Sequence, residues 1–82
     1  MAQALDEAGR AYEAAGDPNA AVDRYYRAAR SFFSAGQPAR ADGLVVRAIL
    51  LADQAGVTAA RKNLSQLQAE MNAARAVPAP AP

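Results

Sequence analysis

A carboxylate pair such as Asp6 and Glu13 is the nearest thing in this sequence to a reactive constellation. Two such acids could trade a proton as general acid and general base. The chain contains no histidine and no cysteine. The commonest general base, the commonest zinc ligand, every thiolate nucleophile and every disulfide are therefore missing. Asp6 and Glu13 read better as surface charge. The expectation is a protein that is not an enzyme, with no catalytic residue, no cofactor and no metal. Arg24, Arg27 and Arg30 recur every three residues and could hold phosphate or an acidic partner. They read better as a solvated face. Residues 18–34 carry these arginines against Asp23, whereas residues 2–15 carry Asp6, Glu7 and Glu13 against Arg10, so the two segments complement each other. Net charge is only +1, without the basic excess of a nucleic-acid binder, so no nucleic acid is an expected partner.

These side chains need a scaffold, and 82 residues suit one small domain. Gly16, Gly36 and Gly56 stand twenty residues apart, in the similar strings EAAGDP, FSAGQP and DQAGVT. Glycine suits the left-handed position just past a helix end. Asp17 can cap the next helix, with Pro18 at its first position. Pro38 repeats that placement after Gln37, a poorer cap, and Thr58 is a fair cap for the last segment. Apolar residues recur at helical spacing and strand signals are absent, which predicts four helices over about 2–15, 18–34, 38–55 and 58–75. In the first, Leu5, Ala8, Tyr12 and Ala15 share a face. In the second, Val22, Tyr25, Tyr26, Ala29, Phe32 and Phe33 make a broad one. In the fourth, Ala60, Leu64, Leu67, Met71 and Ala74 form a narrow stripe. The closing VPAPAP cannot continue a helix. The expected organisation is one helical domain over 1–76 and a flexible Ala/Pro tail over 77–82.

Neither end nor middle looks membrane-bound. The start, MAQALDEAGR, lacks the charged and apolar regions of a signal peptide. The cluster Leu44 to Ala52 is interrupted by Arg47 and falls well short of the roughly 18 apolar residues of a span. The expectation is a cytoplasmic chain with no membrane span. Eight arginines against one lysine, with abundant alanine, suggest a GC-rich bacterial genome.

Gly9, Tyr12, Gly16, Asp17, Ala21, Tyr25 and Ala28 follow the pattern G-x2-Y-x3-G-D-x3-A-x3-Y-x2-A. This resembles a tetratricopeptide repeat, a helix–turn–helix unit that stacks into solenoids. Small Gly9, Ala21 and Ala28 let two antiparallel helices approach, and Tyr12 and Tyr25 fill the space beside them. Two departures mark this chain. Leu5 and Ala8 stand where bulkier residues are usual, and SFFSAG continues the second helix where a proline is usual. The longer helix is similar to long-repeat variants of the family, such as those in membrane-fusion adaptor proteins. Aligned through Gly56, the second unit has Ser65 where an aromatic belongs and Ile49 where a glycine belongs.

The resemblance implies an all-α fold of four antiparallel helices in two stacked TPR-like hairpins, a fragment of a right-handed α-solenoid. A four-helix bundle would share the helix count and the turns. Bulk is concentrated in the second and third helices, which favours the stack, because inner helices are covered from several sides.

In the family, the first helix of each unit lines the inner surface. Carried over, this places Gln3, Asp6, Arg10 and Glu13 there in the first unit, and Val46, Leu50 and Asp53 in the second. Val46 and Leu50 lie one turn apart, outside the apolar face of Leu44, Val45, Ala48, Leu51, Ala52 and Ala55. With charged neighbours they would make a groove for an extended or helical peptide; otherwise they pack against the first helix or a second copy. Family members that grip a C-terminal carboxylate use lysine and asparagine, where this chain has Asp6 and Arg10, so that specificity is not implied.

Phe32, Phe33, Leu50 and Leu51 are more apolar surface than two hairpins readily hide, which implies a homo-oligomer or a piece of a longer repeat array. Gly43, inside the third helix, costs about 1 kcal/mol relative to alanine, which a close helix crossing or a fraying first turn would explain. The expected function is a non-catalytic interaction module, an adaptor or scaffold for a protein or peptide. The alternative is a structural, self-assembling homo-oligomer with no foreign ligand.

Overall fold

The computed structural model describes residues 2–76, and the anticipated tail at 77–82 lies outside the described residues. Four helices follow one another: α1 (Ala2–Ala14), α2 (Pro18–Ser34), α3 (Pro38–Ala55) and α4 (Thr58–Ala76). No strand occurs among the described residues. The fold is all-α, as the period of the apolar residues predicts.

The turns explain why the helices stop where they do. Gly16 has φ 78°, a left-handed conformation that costs residues with a Cβ. That geometry turns the chain so that Asp17 N–H donates to the Tyr12 carbonyl at 2.9 Å and Gly16 N–H to the Glu13 carbonyl at 3.1 Å. Two carbonyls at the end of α1 are thereby satisfied. The same pair recurs twenty residues later, with Gln37 N–H on Phe32 and Gly36 N–H on Phe33. The N-termini differ. Asp17 accepts from Ala20 N–H at 3.2 Å, whereas Gln37 makes no side-chain cap bond. At α4 the anticipated cap moves by one residue: Thr58 already belongs to the helix, and the Val57 carbonyl accepts the first bond, from Arg61 N–H at 3.0 Å.

α2 is the centre of the packing, touching α1 and α3 extensively and α4 more lightly; α3 also packs on α4. Val22, Tyr25, Ala28, Ala29 and Phe32 of α2 meet Leu44, Val45, Ala48 and Ala52 of α3 in one apolar cluster, closed by Leu64, Leu67 and Met71 of α4. Each large side chain covered in this way contributes roughly 1.5–3 kcal/mol. α1 holds on differently. Its only buried residue is Gly9, and a Cβ built there would stand 2.7 Å from Cδ1 and Cε1 of Tyr25. The tyrosine ring, itself fully buried, lies flush against the α1 backbone where the glycine leaves room.

Three expectations are corrected. Tyr12 does not fill the hairpin interior; it is 36% exposed at the rim, under the Arg24 guanidinium at 5.6 Å from its ring centroid. The ring of Tyr25 takes the space that Gly9 leaves. Ser65 does not occupy the inward place that Tyr25 has in the first hairpin. Ser65 is exposed, and Leu64 is fully buried beside Leu67 and half-buried Ala60. Ala60, Leu64 and Leu67 reproduce the spacing of Ala21, Tyr25 and Ala28 one residue earlier than the glycine alignment puts it, because burial selects the apolar row. Third, the expected oligomer surface is largely consumed within the chain. Phe32 is buried, and Phe33 and Leu51 pack partly buried against the core. Only Leu50, 58% exposed, stands clear in solvent.

Candidate interaction groove

Asp6, Arg10 and Glu13 recur at helical spacing and share one face of α1. Arg40, Gly43 and Arg47 do the same on α3. The two faces border an open groove of about 370 Å³, lined by Asp6 and Arg10 on one wall, by Arg40, Gly43 and Arg47 on the other, and by Phe32 and Leu44. A second hollow of about 320 Å³ shares Arg10 and Arg47 and adds Glu13 and Ala14, so the groove runs on along α1.

The walls are tied by one side-chain cluster. The Glu13 carboxylate accepts from Arg47 Nε at 2.9 Å and from Arg47 Nη2 at 3.1 Å, a two-pronged bond between α1 and α3. Tyr25 Oη, from α2, donates to the same carboxylate at 2.8 Å. The Arg47 guanidinium also lies 5.9 Å from the Tyr25 ring centroid. The bonds from Arg47, then that from Tyr25, hold the Glu13 carboxyl below its ordinary value. Burial, and then the bond to Glu13, pushes the Tyr25 hydroxyl up. Because Glu13 and Arg47 both remain partly in water, the pair contributes at most about 1 kcal/mol. It fixes the register of two helices more than it stabilises them.

Other charges in the groove are paired more locally. Arg10 Nε donates to Asp6 at 3.1 Å within α1. Arg40 has no carboxylate in ion-pair reach among the described residues; its guanidinium lies 5.6 Å from the Phe32 ring centroid. Gly43 faces open space, with nothing within 4 Å of a Cβ built on it. Neither a close crossing nor a frayed first turn accounts for this glycine, since it is the sixth residue of a helix that begins at Pro38.

Of the residues anticipated from sequence, Asp6, Arg10 and Glu13 come together here. Val46, Leu50 and Asp53 do not line either hollow. Asp53 instead accepts from Arg61 Nε of α4 at 3.1 Å. Val46 and Leu50 are 50% and 58% exposed, so neither is buried against another helix. The groove's α3 wall, Arg40, Gly43 and Arg47, was not anticipated. Its spacing on one helical face was the available signal.

The arginine row of α2 is partnered differently from the expectation. Arg24 pairs with Asp23 at 2.6 Å and Arg27 with Asp23 at 3.3 Å. Arg30 Nη1 donates to Tyr26 Oη at 3.1 Å. Their partners lie on α2 itself rather than among the acids of α1, because Glu13 is turned to α3. Among the described residues, no helix is long and apolar enough to cross a membrane. Neither a family model, nor a curated protein, nor a solved structure matches the chain.

Proposed function

We propose that this chain is a non-catalytic interaction module of tetratricopeptide type, an adaptor or scaffold that holds a peptide or partner helix. The observation that carries this reading is the α1–α3 groove, with charged walls over the apolar surface of Phe32 and Leu44. A concave site with a few polar groups above an apolar floor is the usual form of a binding surface. The small-residue seam at Gly9 and Tyr25 supports the family resemblance. The two carboxylates available for acid–base chemistry, Asp6 and Glu13, are both engaged by arginines, which supports a binding role over a catalytic one.

One observation favours a second reading, a self-assembling structural element: Val46 and Leu50 are both at least half exposed, side by side. Leu50→Asp separates the two. The interaction-module reading, with Leu50 extending the groove surface, expects loss of affinity capture of a partner while circular dichroism stays helical. Retained capture removes Leu50 from the binding surface. Sedimentation of the wild type as a monomer across micromolar concentrations rules out the self-assembly reading.

A further inference from the structure

Among the described residues, the α1–α3 groove contains a cation without an anion and a wall position without a side chain. Four charged residues line its main hollow: Asp6, Arg10, Arg40 and Arg47. Arg10 is bound to Asp6, and Arg47 is bound to Glu13. Among the described residues Arg40 is left with the Phe32 ring, an arrangement that holds the guanidinium in place without neutralising it. The groove therefore keeps one positive charge after its internal pairs are formed. Beside that charge lie Ala39 and the edges of Phe32 and Leu44 that the core leaves open, 6% and 7% exposed.

Gly43 lies on the same wall, between Arg40 and Arg47. Inside a helix, glycine is the least favourable residue after proline. Among the described residues, nothing lies within 4 Å of a Cβ built on this one. Any side chain there would project into the groove and narrow it. A glycine that serves no contact within the fold, in the wall of an open groove, suits the close approach of another backbone.

We propose that the groove binds an acidic peptide segment, with a carboxylate side chain paired to Arg40, a neighbouring apolar side chain against Phe32 and Leu44, and the segment's backbone over Gly43. This deepens the interaction-module reading and rests on it. Asp6 and Arg10 are paired to each other on the opposite wall, so a carboxylate is drawn to Arg40 on the α3 side. Charge decides between partner classes. A polyanion such as nucleic acid needs several free cations for its phosphates. Among the described residues this groove offers one, on a chain of net charge +1. A single carboxylate beside an apolar side chain matches what is there.

The test is selection of random phage-displayed peptides on the intact chain. The enriched peptides are then measured by fluorescence anisotropy against wild type, Arg40→Glu, Arg40→Gln and Gly43→Leu. All three substitutions fall at exposed positions, and circular dichroism checks that the helices persist. Enriched peptides should carry Asp or Glu next to Leu, Ile or Phe. Their affinity should fall about tenfold or more with either Arg40 variant, and equally when the peptide's acid becomes its amide. Gly43→Leu should weaken the same peptides by obstruction. Enriched peptides without an acid, or bound unchanged by the Arg40 variants, overturn the acidic-segment proposal and leave the interaction-module reading standing. Failure of any peptide to enrich sinks both, as does a single-stranded oligonucleotide that binds with salt-sensitive affinity when peptides do not.

Discussion

Two glycines sit inside helices, and their surroundings give them opposite roles. At Gly9 a Cβ would collide with the Tyr25 ring, whereas at Gly43 it would meet nothing. Gly9→Val should therefore destabilise the chain by about 1–3 kcal/mol, since the buried ring has no space to retreat into. Gly43→Ala should stabilise it by about 0.5–1 kcal/mol through helix propensity alone. Urea melts of the two variants check both signs. The value of Gly9 was legible from its place in the G-x2-Y pattern. Gly43 was visible as an anomaly but not as a wall, because sequence does not say which helix face stays uncovered. Glu13 makes the same point. Its face was legible, but its partners Arg47 and Tyr25 lie far along the chain. With its carboxyl held below the ordinary 4.5, the folded chain binds fewer protons there than the unfolded chain does. The resulting stability is fully present above the unfolded value and is lost as pH falls through the folded value. Glu13→Gln should remove that acid-side dependence, and urea melts of both proteins at acid and neutral pH measure it.

Helix boundaries were the most legible feature, and the chemistry of the turns explains why. A glycine that can turn left-handed followed by proline two residues on is a local signal, and it is present at Gly16 and at Gly36. The caps are not equal: Asp17 bonds the Ala20 N–H, and Gln37 bonds none of the backbone N–H groups at the start of α3. Gln37→Asp should add a cap and stabilise by about 0.5–1 kcal/mol in thermal unfolding, whereas Asp17→Ala should cost about 1 kcal/mol. The rotation of each helix about its axis was less legible. The glycine spacing pointed to Ser65 as inward, but the apolar row of α4 starts from Ala60 and turns Leu64 to the core. Turn position and facing are separate quantities, and burial sets the second.

Across the molecule, α2 is covered from both sides while α1 adds little bulk, and the chain's large side chains are distributed accordingly. That coverage hides Phe32 and most of Phe33, so among the described residues the large apolar side chains left exposed are Tyr12, Val46 and Leu50. An estimate from composition counts apolar residues and cannot see which of them a neighbouring helix covers. The groove itself exists only when α1 and α3 are brought side by side across α2, which is why its α3 wall was absent from the sequence reading. The most direct measurement of the central claim is a backbone amide NMR titration of the chain with a peptide selected on it. Shifts concentrated at Arg10, Arg40, Gly43 and Arg47 are the predicted result. Shifts confined to α4, with Arg40 and Gly43 unmoved, would contradict the assignment of this groove as the binding surface.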